Sequence, residues 1–213
     1  MTEAVNFGIR IRQVSDMHVK INDAVLIEQY RKGDSEAMER LVLRYQNRIY
    51  NVILKICADP DDAAELTQET FVKVIENLDR FEGRSSFYTW IFRIAVNLTL
   101  NYCQRSSKLE FKSLDAEQQQ DDSKVKQVLK DFLSDDSSPD PAAEAQNKEL
   151  YRIAARALME LDETHRAVIV LRDIEGMSYA RIAEVLDIEL GTVRSRLSRA
   201  RSKMRDILEA ILR

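Results

Sequence analysis

Between Leu190 and Arg205 the chain carries Arg194, Arg196, Arg199, Arg201, Lys203 and Arg205 and no acidic residue, a charge of +6 in sixteen positions. Guanidinium groups pair bidentately with guanine edges, and both Arg and Lys pair with phosphates. One helical turn separates Arg194 from Ser198, and Ser195 from Arg199, so a helix here shows several of these groups together. Arg194, Ser195, Ser198 and Arg199 are the candidate base readers. Arg196, Arg201 and Lys203 are placed to seat the helix on phosphates. A basic face alone is also what a solvated helix shows. Its setting narrows the choice, because Ile182, Ala183 and Leu186, then Ile188, then Val193 and Leu197 have the spacing of two short helices around a tight turn. That motif holds its second helix proud, able to enter a major groove.

Two further groups could do chemistry. Phe81, Phe87 and Trp90 flank a loop containing Gly83, Arg84, Ser85 and Ser86, ahead of a helical stretch bearing Arg93, Asn97, Asn101 and Arg105. Aromatic rings beside polar donors suit unpaired bases, which stack and expose their edges; Trp90 fits a plain core position equally well. Upstream, Asp62, Glu65 and Glu69 form an acidic face opposite an apolar stripe, with Gln68 alongside, either solvated or a protein contact. Catalytic constellations are missing. There is no Ser/His/Asp set, no glycine-rich phosphate loop and no metal-ligand spacing, and His18 and His165 are isolated. The expectation is no enzyme, no metal, no cofactor and no small-molecule substrate.

These groups need helices to position them. Only 5 Gly and 3 Pro interrupt 213 residues that are 45% hydrophobic and 32% charged, which predicts an all-α protein. The longest apolar run, Ala167 to Leu171, is far short of the ~18 residues of a membrane span. No secretory signal is visible at the start, where Met17 offers an alternative to Met1. Cys57 and Cys103 both lie in apolar helical patterns, which fits a reducing cytoplasm. The net charge of −4 argues mildly against a free-standing DNA binder.

Periodicity divides the chain. After an unpatterned stretch, a helix follows from Leu26, and Gly33-Asp34-Ser35 reads as a stop and an N-cap. Met38, Leu41, Val42, Tyr45, Ile49, Val52, Ile53 and Ile56 mark a second helix. Asp59-Pro60 restarts the chain into a third, with Leu66, Thr70, Phe71, Val74, Ile75 and Leu78 on its apolar face. Phe87, Trp90, Ile91, Ile94, Ala95 and Leu98 line the next. Residues 113–149 then hold ten acidic residues and four lysines, a net of −6, with the chemistry of a linker in which Val125 to Leu133 forms at most a transient helix. Beyond it, Leu150 to Leu161 reads as a helix and Asp162 caps another. Gly176 stops that one, Ser178 caps a short helix to Leu186, and a last helix starts near Leu190. The predicted organisation is a disordered extension over 1–22, a helical domain over 23–107, an acidic linker over 108–142 and a second helical domain over 143–213. Roughly 35 extended linker residues reach on the order of 115 Å.

Taken in order, these segments resemble a known family, the bacterial extracytoplasmic-function sigma factors, close to the envelope-stress type. Ala64-Glu65-Leu66-Thr67-Gln68-Glu69-Thr70-Phe71 resembles the helix with which sigma factors grip core RNA polymerase. Phe81-Glu82-Gly83-Arg84-Ser85-Ser86-Phe87-Tyr88-Thr89-Trp90-Ile91, with Arg93-Ile94-Ala95-Val96-Asn97, resembles the segment that melts promoters and reads the minus-ten element. Gly191-Thr192-Val193-Arg194-Ser195-Arg196-Leu197 and Arg199-Ala200-Arg201 resemble the minus-thirty-five recognition helix. The resemblance implies a sigma-2-like bundle and a sigma-4-like helix-turn-helix. It implies partners in core polymerase, duplex and single-stranded promoter DNA and an anti-sigma factor, and a stress or envelope regulon served in the cytoplasm. It assigns core binding to Asp62, Glu65, Gln68 and Glu69. Minus-ten contacts go to Phe81, Arg84, Ser85, Ser86, Phe87, Trp90, Arg93, Asn97 and Asn101, and minus-thirty-five contacts to the basic helix. The sequence departs from the family pattern at Ser198, often aromatic in relatives, and at Ala180 and Arg181, where an acidic pair is common. A conventional helix-turn-helix activator or repressor is the alternative; its opposing feature is a first region without strand–helix alternation.

Overall fold

Short polar side chains open the helices of the computed structural model, which describes residues 22–110, 150 and 152–211. Asn22 accepts the Ala24 N–H at the start of α1 (Asp23–Arg31), and Asp34 accepts that of Glu36 at the start of α2 (Ser35–Cys57). α2 stops at Ala58, whose φ of 65° breaks the helical path. Asp59 then accepts the N–H groups of Asp61 and Asp62, and Pro60 occupies the first position of α3 (Pro60–Asn77). A single 3-10 turn, Leu78–Arg80, leads to a surface loop and to α4 (Phe87–Glu110), whose first turn is tied down by the Ser86 hydroxyl accepting the Thr89 N–H at 3.1 Å.

The second half is also helical. α5 covers 152–159 and α6 spans Glu163–Ile169. α6 runs on through a wider π turn, Val170–Ile174, closed by Glu175 N–H to the Val170 carbonyl at 2.9 Å. Ser178 caps α7 (Tyr179–Leu186), Asp187 turns the chain with φ 54°, and α8 (Leu190–Ile211) follows. No strand occurs among the described residues. The expected stops and caps therefore stand where the sequence placed them. Most of the extension over 1–22 and of the linker over 108–142, including Val125 to Leu133, lies outside the described residues.

Two findings depart from the sequence pattern. Ile75, expected on the buried stripe of α3, is 43% exposed, and Val72 one turn before it is 51% exposed. It follows buried Val74 by about 100° of helical rotation, which turns it out of the core. The second departure is larger. The buried residues of both halves form one contiguous apolar cluster, with α4 packed against α2 and α3 and also against α7, and α2 against α6. α4 has more apolar surface than the stripe predicted from it: Phe92 and Val96, off that stripe, are fully buried. They lie one and two turns beyond Tyr88, which meets Glu175 of the second half.

Arg166 crosses the same seam. Only 7% exposed, it donates to the carbonyls of Leu158, Met159 and Leu161 at 3.1, 2.7 and 2.7 Å and to that of Ile56, in the last turn of α2, at 2.6 Å. It thus ties the α5–α6 turn and caps a helix of the other half. Nearby, Cys57 and Cys103 are pushed up to about 12 and about 11 by burial, so both thiols are poor nucleophiles at neutral pH.

Asp162 shows what a single cap contributes. Its carboxylate accepts the His165 N–H at 3.1 Å and receives Lys203 from α8 at 2.9 Å. Burial works against the charge, but hydrogen bonds from His165, Lys203 and Thr164 hold the carboxyl well below its usual range. A depressed carboxyl stabilises the fold fully above its unfolded value of about 3.9, and that contribution fades as pH falls towards the folded value. Asp162→Ala should cost about 1 kcal/mol at pH 7 in a urea titration. The gap to the wild-type chain should narrow at about pH 3; an unchanged gap would show that the charge does not matter.

Candidate nucleic-acid and polymerase interfaces

α8 buries Val193, Leu197 and Ala200 and turns Arg194, Ser195, Ser198 and Arg199 outward, so the four candidate base readers share one exposed surface. The turn before it is fixed by Asp187 and by the Ile188 N–H donating to the Ala183 carbonyl at 3.1 Å, with half-buried Ile188 packed on the core. The Ser195 hydroxyl is bonded back to the Thr192 carbonyl at 3.0 Å, leaving the oxygen lone pairs as acceptors.

The three expected phosphate contacts differ among themselves. Arg196 is half-buried at the edge of the face. Arg201 is held by both carboxylate oxygens of Asp173, at 3.2 and 2.5 Å, and Lys203 by Asp162. Those two side chains fasten α8 to the ends of α6 and its π turn. Their partners lie 28 and 41 residues away, beyond what helical spacing reveals.

The loop before α4 is built from its rings. Phe81, Phe87 and Trp90 form a triangle with centroid separations of 5.0 to 5.9 Å. Phe87 is 4% exposed and also meets Tyr45 edge-on, so it anchors the loop, while Phe81 and Trp90 remain half-exposed. Arg31 donates to the carbonyls of Leu78 and Phe81 at 2.8 and 2.6 Å, pinning the loop from α1. At its tip Gly83 has φ +72°, Arg84 pairs with Glu82 in the open, and Ser85 is half-buried. Ser86 is spent as the helix cap. Along α4, Asn97 is half-buried and Asn101 exposed one turn apart, whereas Arg93 lies 3.3 Å from Asp187 of the helix-turn-helix turn.

On α3 the acidic residues divide similarly. Asp62 accepts the Tyr102 hydroxyl of α4 at 2.7 Å, which ties it within the fold. Glu65, Gln68 and Glu69 face solvent, and by helical spacing Val72 and Ile75 continue their face. An exposed apolar centre with an acidic rim is the anatomy of a protein-binding surface. The sequence pattern gave no role to Val72 and put Ile75 in the core, because an apolar residue at helical spacing reads as buried.

The model for sigma-70 region 2 matches residues 41–109, and that for sigma-70 region 4 matches residues 151–204. The ECF RNA polymerase sigma-E factor of Escherichia coli K12 is 33% identical over 201 residues, covering 92% of this chain and all of that protein. Its counterpart in Haemophilus influenzae is 34% identical over 200 residues with the same coverage. Among solved structures, CnrH in complex with the cytosolic domain of CnrY superposes with a TM-score of 0.59 at 26% identity, covering 88% of this chain and 97% of that one. The sigma factor RpoE of Bartonella quintana, solved with the anti-sigma factor NepR, shares the fold at a TM-score of 0.58 and 21% identity, over 80% of this chain and 96% of that one.

The two classes of α8 cation should separate experimentally. Arg199→Ala should cost roughly 1–3 kcal/mol on an upstream-element duplex and relax preference at one base position. Arg196→Ala should lower the salt slope of binding by about 0.9, and Arg201→Ala by less than half of that, because Asp173 already holds it. Equal slopes for the last two variants would overturn the sorting.

Proposed function

This chain belongs to the extracytoplasmic-function RNA polymerase sigma factors, and we propose how its surfaces share the work of initiating transcription. The protein directs core RNA polymerase to a class of promoters. The observation that carries the division of labour is α8, whose Arg194, Ser195, Ser198 and Arg199 stand outward from a helix-turn-helix seat built on Val193 and Leu197. In this reading residues 143–213 recognise the duplex minus-thirty-five element. Residues 23–107 bind core and read the minus-ten element on an unpaired strand, and 108–142 tether the two. Phe81 and Trp90 offer half-exposed rings for stacking, and Arg84, Arg93, Asn97 and Asn101 supply donors along the strand. Phe87 and Ser86 hold that surface in shape.

Core polymerase docks on α3, with Val72 and Ile75 at the centre and Glu65, Gln68 and Glu69 around them; Asp62 acts through Tyr102 as a brace. The chain contributes no catalytic group of its own, and the polymerase makes the bonds. It works in the cytoplasm, where the polymerase is; no helix among the described residues is long and apolar enough to cross a membrane. CnrH was solved with a second protein, and by that likeness this chain is held inactive by an anti-sigma factor, within a stress or envelope regulon.

Transcription from a genomic DNA pool by purified core enzyme, with and without the protein, tests the reading. New start sites sharing two upstream elements are expected; their absence overturns it. Val72→Asp, and separately Glu69→Lys, should each weaken core binding by about 2 kcal/mol or more without loss of helicity, since both residues are exposed. Core affinity within twofold of wild type for both variants removes the docking assignment from α3.

A further inference from the structure

α4 carries a cation for which strand reading supplies no task. From residue 87 to 109 the helix has no acidic residue, in a chain with 36 of them, so it lacks the carboxylates that would repel DNA. Arg93, Asn97, Asn101 and Arg105 follow one another at four-residue steps, a row that runs past the residues placed on the unpaired strand. Asn101, Gln104 and Arg105 are exposed, and Asn101 lies one turn from each of the other two. Arg105 forms no ion pair among the described residues, whereas Arg93 meets Asp187.

The opposite side of the same turns is anchored. Thr99 is fully buried, Cys103 is 8% exposed, and the Tyr102 hydroxyl donates to Asp62 of α3 at 2.7 Å. The last turns of α4 are thus held firmly while three donors face solvent. From Trp90 to Arg105 the helix rises about 22 Å. A duplex covers that length in about six base pairs, at ~3.4 Å each. The two ends of α4 therefore meet different kinds of DNA. Phe81 and Trp90, at its start, suit an unpaired base. A guanidinium this far from them, with no ring beside it to stack on a base, suits the phosphates of a strand still paired. The chain leaves α4 for the segment that leads to the second half, so the end bearing Arg105 points towards the upstream element.

Resting on the functional reading above, we propose that Arg105, with Asn101 and Gln104 beside it, grips a phosphate of the duplex just upstream of the minus-ten element. The contact carries no sequence information. It fixes where the paired strand ends relative to the rings of Phe81 and Trp90. The guanidinium spans two phosphate oxygens, and the two side-chain amides lie within a turn of it to donate to the same strand.

The test uses holoenzyme assembled from core enzyme and the full chain. Its probe is a promoter recovered from the genomic pool and made as a fork, duplex upstream and unpaired from the minus-ten element onward. Arg105→Ala should bind the fork roughly fivefold more weakly and lower the salt slope by about 0.9, while Arg105→Lys keeps both near wild type. On the unpaired strand alone all three proteins should bind alike. Replacing single phosphates by neutral methylphosphonates locates the contact. One linkage, within about seven base pairs upstream of the fork, should weaken wild type roughly fivefold and leave Arg105→Ala unchanged. Circular dichroism melts check that the exposed substitutions leave the fold intact. A wild-type slope for Arg105→Ala, an equal loss on the unpaired strand, or a coupled linkage downstream of the fork overturns the contact. A wild-type holoenzyme that initiates from no promoter overturns the functional reading, and this contact with it.

Discussion

A guanidinium whose hydrogen bonds all go to carbonyl oxygens lies buried where the two halves meet, and much of the arrangement depends on how Arg166 is satisfied. Taking a cation out of water is costly unless polar groups replace its hydration. Here the replacement comes from helix ends, which offer unpaired carbonyls and the negative pole of the helix dipole. Burial lowers its proton affinity and the nearby Glu163 charge works the other way; an arginine stays charged under such conditions where a lysine would not. Three of its bonds are local and set the angle between α5 and α6. The fourth, to Ile56, makes the end of α2 part of the same network.

The rest of the second half follows from that corner. Asp162, four residues before Arg166, caps α6 and receives Lys203; Asp173, at the other end, holds Arg201. α8 is therefore fastened at two points along its length by the same helix and its π turn. Its exposed face is set by these ties and by the burial of Val193, Leu197 and Ala200. Cations that seemed alike in the sequence thus split into Arg201 and Lys203, which orient the helix, and Arg194 and Arg199, which face solvent. Rigid support of this kind is what base readout needs, since a bidentate arginine contact tolerates little misplacement.

Burial and exposure also sort the first half. Phe87, pressed against Tyr45, gives the aromatic loop its footing, and Arg31 holds the loop's carbonyls from α1. Phe81 and Trp90 rest on Phe87 yet stay half-exposed, and Val72 and Ile75 on α3 are open to solvent, so both places keep apolar surface that a partner would cover. Function here lies at the limits of the packed interior, while the interior keeps those limits in place.

Local physics made the helices legible. Asn22, Asp34, Asp59, Asp162 and Ser178 cap where a short polar side chain precedes a periodic stretch, because such a side chain reaches the unpaired N–H groups of its own first turn whatever else surrounds it. The motifs on α3, α4 and α8 were legible for the same reason, since residues three and four apart share a face whatever surrounds them. Tertiary structure alone decided which faces stay open. Ile75 looked like core and is exposed; Arg201 and Lys203 looked free and are paired; Phe92 and Val96 looked surplus and are buried. Arg166 stood unnoticed at the edge of an apolar run. Arg201, Lys203 and Arg166 find partners 28, 41 and 110 residues away. Periodicity records what a helix offers to its surroundings, but the choice of neighbour is made by packing between segments that the sequence keeps far apart.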